Sequence, residues 1–265
     1  TLLTISLIFL YGLKYGVYYI KFTFFCLSAT ISATLCLFVF IFRPKNVKNF
    51  KIANAVARCV GRLLGLQVHI NGKENLESTE SFIILMNHQS CLDQIVLSHI
   101  WPDRCTILAK KEILWGGPYG IGCWLCGCIF INRQNSSEAR QTVDEALETV
   151  KSNKLKFIIF PEGTRHDGEV LLPFKKGAFH MAIKGQLPIV PVVVSPYKNF
   201  LCHKTKIFNK GLISVTCLPP ISTESLCISD VDSLVTSTRE LMQEQFSKFI
   251  QYQSHGNCLD KNKSD

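Results

Sequence analysis

The sequence predicts an α/β fold: a mixed, largely parallel sheet flanked by helices, preceded by an N-terminal membrane helix segment. Three observations carry this. From residue 67 onward, short apolar runs alternate with helical stretches. Several of those runs are continuous and β-branched, as strands covered on both faces are. Ahead of them, residues 22–42 form an uncharged apolar stretch bounded by Lys21 and Arg43. At 1.5 Å per residue, about 20 such residues match the hydrocarbon thickness of a bilayer.

Taken in order, the chain opens with an apolar run at 2–13 that ends at Lys14 and is too short to span alone. Tyr11, Tyr15, Tyr18 and Tyr19 suit an interfacial aromatic belt. The first residue is Thr1 rather than Met, so part of this first segment is expected to lie upstream. The stretch at 22–42 reads as a transmembrane or deeply inserted helix. Arg43, Lys45, Lys48, Lys51, Arg58 and Arg62 follow with no acid among them, which marks a cytosolic flank drawn to an anionic leaflet. Strands are expected at 67–70, 82–86, 105–108, 128–131, 155–160, 189–194 and 212–218. Residues 136–151 read as a helix with Val143, Leu147 and Val150 on one side, and 230–250 as a closing amphipathic helix. The expected division is a membrane segment at 1–43, an α/β domain at 44–250 and a disordered polar tail at 251–265.

Composition narrows the chemistry. Hydrophobic residues make up 47% of the chain and charged ones 18%, enough for a sizeable core beside the membrane segment. The net charge of +9 points to an anionic partner: nucleic acid, a membrane surface or a phosphorylated substrate. No nucleic-acid-binding module is recognisable, so nucleic acid is not expected. The 12 cysteines lie irregularly within apolar runs, a pattern of reduced thiols facing the cytosol rather than a disulfide framework. Cys123, Cys126 and Cys128 lack the second pair or histidines of a zinc site, and no metal is expected.

The chemistry-bearing residues sit where the apolar runs end. Asn87-His88-Gln89-Ser90-Cys91-Leu92-Asp93 follows the run at 82–86, and open α/β sheets bind ligands at strand ends. Five residues apart on one helix, His88 and Asp93 would point about 140° apart. They meet only if His88 occupies the turn and Asp93 the first turn of the next helix. A carboxylate on one imidazole nitrogen fixes the tautomer and makes the other a stronger base. Phe160-Pro161-Glu162-Gly163-Thr164-Arg165 closes the run at 155–160, where Pro161 and Gly163 impose a turn and Arg165 offers a fork for phosphate. Lys175 and Lys176 come next, ahead of an expected helix start that favours anions. Arg133 ends Phe130-Ile131-Asn132-Arg133, and Lys110 and Lys111 follow the run at 105–108. If these ends share one sheet edge, they build one anionic pocket. Leu187-Pro188-Ile189-Val190-Pro191 leads an apolar run that reads as a core strand, with the wall of an acyl-chain pocket as the alternative.

In order, the blocks at 87–93, 130–133, 160–165 and 187–191 resemble the four acyltransferase blocks of the 1-acylglycerol-3-phosphate acyltransferase family. The resemblance runs from about residue 60 to 220. It implies His88 and Asp93 as a catalytic dyad, and Arg133, Glu162, Gly163 and Arg165 as the residues that bind the acceptor's phosphate. Lys110 is added from its Ala109-Lys110-Lys111-Glu112 context. Cys91 stands at a variable position of the first block, where serine is frequent. The family further implies an endoplasmic reticulum membrane, lysophosphatidic acid as acceptor and acyl-CoA as co-substrate, with no other cofactor. Rival readings are another lysophospholipid as acceptor, a lipid hydrolase or thioesterase using Cys91 or Ser90, and a non-catalytic lipid-binding module. The hydrolase reading lacks a Gly-x-Ser-x-Gly elbow.

Overall fold

The computed structural model describes residues 2–132 and 136–261. Helix α1 (Leu2–Phe40) is followed by α2 (Asn49–Leu63), β1 (Leu66–Asn71), β2 (Ile83–Met86), α3 (Asp93–Ile100) and β3 (Cys105–Lys110). A 3₁₀ turn (Lys111–Trp115) leads to α4 (Pro118–Leu125), β4 (Ile129–Ile131), α5 (Ser136–Ser152), β5 (Lys156–Ile159), α6 (Gly177–Gly185) and β6 (Ile189–Val194). A small hairpin of β7 (Leu201–Cys202) and β8 (Ile207–Phe208) precedes β9 (Gly211–Cys217) and α7 (Val231–Lys261).

Seven strands form one sheet in the order β1-β9-β6-β2-β5-β3-β4. The block from β6 to β4 is parallel, and the antiparallel step is β6 to β9, with β1 parallel to β9. The expected mixed, largely parallel sheet is what forms. Burial explains the run lengths: every residue of β2, β5 and β6 is buried, while the outer strands β1 and β9 alternate. Helices cover both faces, with Ile84, Met86, Ile95 and Val192 in one apolar cluster and Ile83, Phe157, Phe179 and Val193 in the other.

This topology decides where chemistry can occur. Because β2, β3, β4, β5 and β6 run parallel, their C-terminal ends open on one edge, where the blocks after β2, β3 and β5 gather. Helix α2 braces that edge from behind. The Arg58 guanidinium donates to the Ser98 carbonyl, and Gly61 lies so close to Ile95 that a Cβ would come within 2.7 Å of it. Both contacts hold α3, whose first residue is Asp93.

Two segments depart from expectation. Leu2 to Phe40 is one continuous helix, so the early apolar run joins the second instead of standing apart. Helix α7 runs on to Lys261, past the expected end at residue 250 and through most of the tail expected to be disordered; residues 262–265 lie outside the described residues.

Helix α1 is long and apolar enough to cross a membrane, yet one face is docked on the α/β domain. Tyr18, Phe25 and Phe40 are buried, the Tyr18 hydroxyl meets His203 Nδ1 at 2.6 Å, and Ala33 lies against Gly122 of α4. Burying each such aromatic contributes about 1.5–3 kcal/mol. The opposite face is bare: Ile20, Phe24, Leu27, Ile31, Leu35 and Phe38 recur every three or four residues and are all exposed.

Candidate active site

His88 stands two residues past β2, and Asp93 begins α3. The turn between them brings the imidazole Nδ1 to 2.6 Å from Asp93 Oδ2. The same oxygen accepts from the backbone N–H of Gln89 at 2.9 Å and of Ser90 at 3.2 Å. A carboxylate at a helix start gains from the dipole as well. Asp93 is thereby fixed in a buried position, its side chain 3% exposed, while that of His88 is 20% exposed. With Nδ1 on Asp93, no hydrogen bond among the described residues engages His88 Nε2. Phe160 stacks on the imidazole, with ring centroids 4.0 Å apart, and fixes its plane.

The turn is tied to both neighbouring strand ends. Asn87 pairs reciprocally with Val194 of β6: its amide nitrogen donates to the carbonyl at 3.1 Å, and its amide oxygen accepts from the N–H at 2.8 Å. Gln89 donates to the Val194 and Ser195 carbonyls and accepts from the Tyr197 N–H. On the other side, Glu162 accepts from the His88 N–H at 2.8 Å and the Leu172 N–H at 3.0 Å, one on each carboxylate oxygen, and the His166 N–H donates to the His88 carbonyl. Glu162 is buried, and burial raises its carboxyl above the ordinary range despite those two bonds. Glu162, which the resemblance implies at the phosphate, here holds the His88 backbone through these bonds.

The other expected residues divide. Gly163 has φ +71°, and a Cβ there would come within 2.6 Å of Lys175 Cε, so glycine lets the Lys175 side chain lie across the turn. Lys176, by contrast, turns away to pair with Asp232 at 2.5 Å. Arg165 is exposed, without an ion pair among the described residues. Burial raises the Cys91 thiol and, on α4, the Tyr119 phenol, and the guanidinium opposes each rise. Lys110 ends β3, exposed and likewise without an ion pair among the described residues, whereas Lys111 is bound to Glu138 at 2.6 Å. Arg133 lies outside the described residues.

Tyr197 is a residue that the sequence reading passed over. It follows β6 and is buried beside Asp93; burial, and after it the Asp93 charge, push its phenol up. The Tyr197 hydroxyl and Asp93 Oδ1 are both buried with no other partner, which leaves the hydroxyl to the carboxylate beside it. Nothing in the order Ser195-Pro196-Tyr197 signals this, because the register of β6 against β2 decides what lies beside Asp93.

The arrangement can take a proton at His88 Nε2, and Lys175 and Arg165, on the turn that follows β5, offer cationic charge to an anion. Cys91 is half-buried with its thiol pKa raised, so little thiolate is present at neutral pH for the nucleophile of a hydrolase.

A family model described as Acyltransferase matches residues 67–195. The 1-acyl-sn-glycerol-3-phosphate acyltransferase alpha of Homo sapiens is 37% identical over 229 residues, 86% of this chain and 81% of that protein. The beta protein of Homo sapiens is 38% identical over 231 residues, 86% of this chain and 83% of its own. The 1-acyl-sn-glycerol-3-phosphate acyltransferase of Saccharomyces cerevisiae is 42% identical over 182 residues, 68% of this chain and 60% of that protein. The crystal structure of the 1-acyl-sn-glycerophosphate (LPA) acyltransferase PlsC from Thermotoga maritima superposes with a TM-score of 0.69. It covers 88% of this chain and 97% of its own, and at 20% identity it speaks for the fold.

Proposed function

The chain belongs to the 1-acyl-sn-glycerol-3-phosphate acyltransferase family, and we propose that it moves a fatty acyl group from acyl-CoA to the sn-2 hydroxyl of 1-acylglycerol-3-phosphate, giving phosphatidic acid for phospholipid synthesis. The observation that carries this reading is the 2.6 Å contact between His88 Nδ1 and a buried Asp93 oxygen, which leaves Nε2 for the acceptor.

In the reaction, Nε2 takes the proton as the acceptor oxygen attacks the thioester carbonyl. The new C–O bond forms, the C–S bond breaks as the tetrahedral intermediate collapses, and the imidazolium returns its proton to the CoA thiolate. General-base help of this kind is worth about 10²–10⁴ in rate. Asp93 sets the tautomer and stabilises the imidazolium. Lys110, Arg165 and Arg133 bind the acceptor's phosphate, with Gly163 shaping the turn that presents Lys175 and Arg165. Glu162 serves by positioning the His88 backbone. No cofactor besides acyl-CoA takes part.

The membrane is the source of the acceptor and the sink for the product. From Tyr18 to Phe40 the docked stretch of α1 is about 33 Å long at 1.5 Å per residue, as long as the hydrocarbon core is thick. With a charged domain docked on one face at Tyr18, Phe25 and Phe40, the helix could stand across the bilayer only by drawing that domain in. Helix α1 therefore lies deeply inserted along one leaflet, its bare face in lipid. The basic flank at 43–62 supports the cytosolic leaflet, and the family resemblance supports the endoplasmic reticulum.

The test is transfer of labelled acyl-CoA by membranes carrying the chain, with lysophosphatidic acid and lysophosphatidylcholine as competing acceptors. Preferential labelling of phosphatidic acid is expected. Equal or preferential labelling of phosphatidylcholine overturns the assignment of acceptor, and release of free fatty acid alone overturns transfer.

A further inference from the structure

Between β3 and β4 the chain exposes aromatic surface that acyl transfer does not use. Trp115, at the end of the 3₁₀ turn, is 87% exposed, and Ile121 and Trp124 on α4 are 49% and 39% exposed. The third tryptophan, Trp101, is packed on Phe50 with ring centroids 4.2 Å apart. Trp115 is not displayed by a loose loop. A Cβ at Gly120 would come within 2.2 Å of the Ile113 carbonyl and 2.6 Å of the Leu114 carbonyl, so only glycine lets the turn fold back on α4. Gly117, at φ +61°, makes the reversal between them. The fold thus builds a fixed support that holds an indole outward.

What covers this surface follows from its surroundings. Helix α4 packs side by side with α1, Gly122 against Ala33, so its aromatic face continues the bare apolar face of α1. Cations border it: Lys45 stands 5.2 Å from the centre of the Trp124 ring, and Lys110 lies at the other end of the turn. Indoles beside lysines, next to a long apolar helix face, are the composition of the lipid headgroup boundary. A protein partner would leave the continuity with α1 unexplained.

We propose that the Lys111–Trp115 turn and the outer face of α4 are a second lipid-contacting element, seated in the same leaflet as α1 with phospholipid as its partner. This rests on the reading of α1 as an inserted helix. The element directly follows the C-terminal end of β3, on the sheet edge that carries His88, so the opening of the site sits at headgroup level. An acceptor can then offer its phosphate without leaving the leaflet.

The test uses the full chain in vesicles of phosphatidylcholine and phosphatidylserine whose acyl chains carry bromine, which quenches indole emission only on contact. Three single-tryptophan variants are compared: Trp115 alone, Trp101 alone, and Phe38→Trp on α1 with the three native indoles changed to phenylalanine. Trp115 is expected to lose most of its emission, as Phe38→Trp does, while Trp101 keeps its own and reports that the fold is intact. Quenching of Phe38→Trp with Trp115 unaffected overturns this proposal and leaves the membrane reading of α1 standing. Quenching of neither overturns both. A blue-shifted Trp115 that bromine does not touch, and that changes with protein concentration, assigns the surface to a second copy and also overturns the proposal.

Discussion

Around His88 the turn is bonded to two other strands: Asn87 and Gln89 to the end of β6, the His88 backbone to Glu162 after β5, and the imidazole to Asp93. A few residues along the same edge, Lys110 and Arg165 are exposed and have no ion pair among the described residues. Under the proposed mechanism, the contrast follows from what each group must do. A base acts through one nitrogen in one orientation, and a small misplacement costs rate directly. A phosphate anchor acts through charge, which falls off slowly with distance, and long cationic side chains can close on their ligand. Rigidity is concentrated where proton transfer needs it.

Substitutions can break or sharpen this contrast. The largest effect is expected on the rigid side. Asp93→Asn removes the partner of His88 Nδ1 and disturbs an oxygen that also accepts two backbone N–H groups. Turnover should fall about 10²–10⁴-fold with the acceptor KM little changed. A change in KM alone would place Asp93 in binding.

On the open side, Arg165→Ala should raise the acceptor KM while sparing kcat. A lost charge-assisted hydrogen bond costs about 1.5–3 kcal/mol, roughly 10–100-fold in KM. The loss should shrink for an acceptor without the phosphate. Equal losses for both acceptors would move Arg165 out of phosphate binding.

Glu162→Gln tests the junction between the two regions. Its amide presents one acceptor where the carboxylate presents two, leaving a buried N–H unpaired at His88 or Leu172 at a cost of about 1–3 kcal/mol. The pH dependence has a definite sign. Burial raises the folded-state pKa of Glu162, so its contribution to stability is full below the unfolded value and is lost as pH rises through the folded one. Urea midpoints taken upward from about pH 4.3 should show a wild-type decline that the Gln variant lacks. Parallel profiles would contradict a strained carboxylate.

Smallest are the changes beside the dyad. Tyr197→Phe removes the hydroxyl beside Asp93 Oδ1, which has no other partner, so stability should fall by about 0.5–1.5 kcal/mol and kcat only modestly. A kcat drop as large as that of Asp93→Asn would show that the phenol, rather than the backbone N–H groups, holds the carboxylate.

Much of this edge was legible in the sequence because it is local. His88 and Asp93 lie within one turn, each cation follows an apolar run, and continuous β-branched runs announce strands buried on both faces. What escaped depends on register and tertiary burial. Glu162 looks like a ligand residue until β5 is set beside β2, which carries its oxygens to the His88 and Leu172 N–H groups. Tyr197 comes beside Asp93 only through the pairing of β6 with β2. The hairpin of β7 and β8 is two residues per strand, too short for an alternating pattern to register. Helix α2 was read as a basic flank, since its cations mask the apolar side that packs on α3.

The central claim is that His88 is the base that activates the acceptor hydroxyl. Its most direct test is single-turnover transfer from labelled acyl-CoA to lysophosphatidic acid by His88→Ala and wild-type protein at matched amounts in the same vesicles. The account predicts a rate lowered about 10²–10⁴-fold at saturating acceptor, with acceptor affinity retained. Transfer by the variant at the wild-type rate would contradict it.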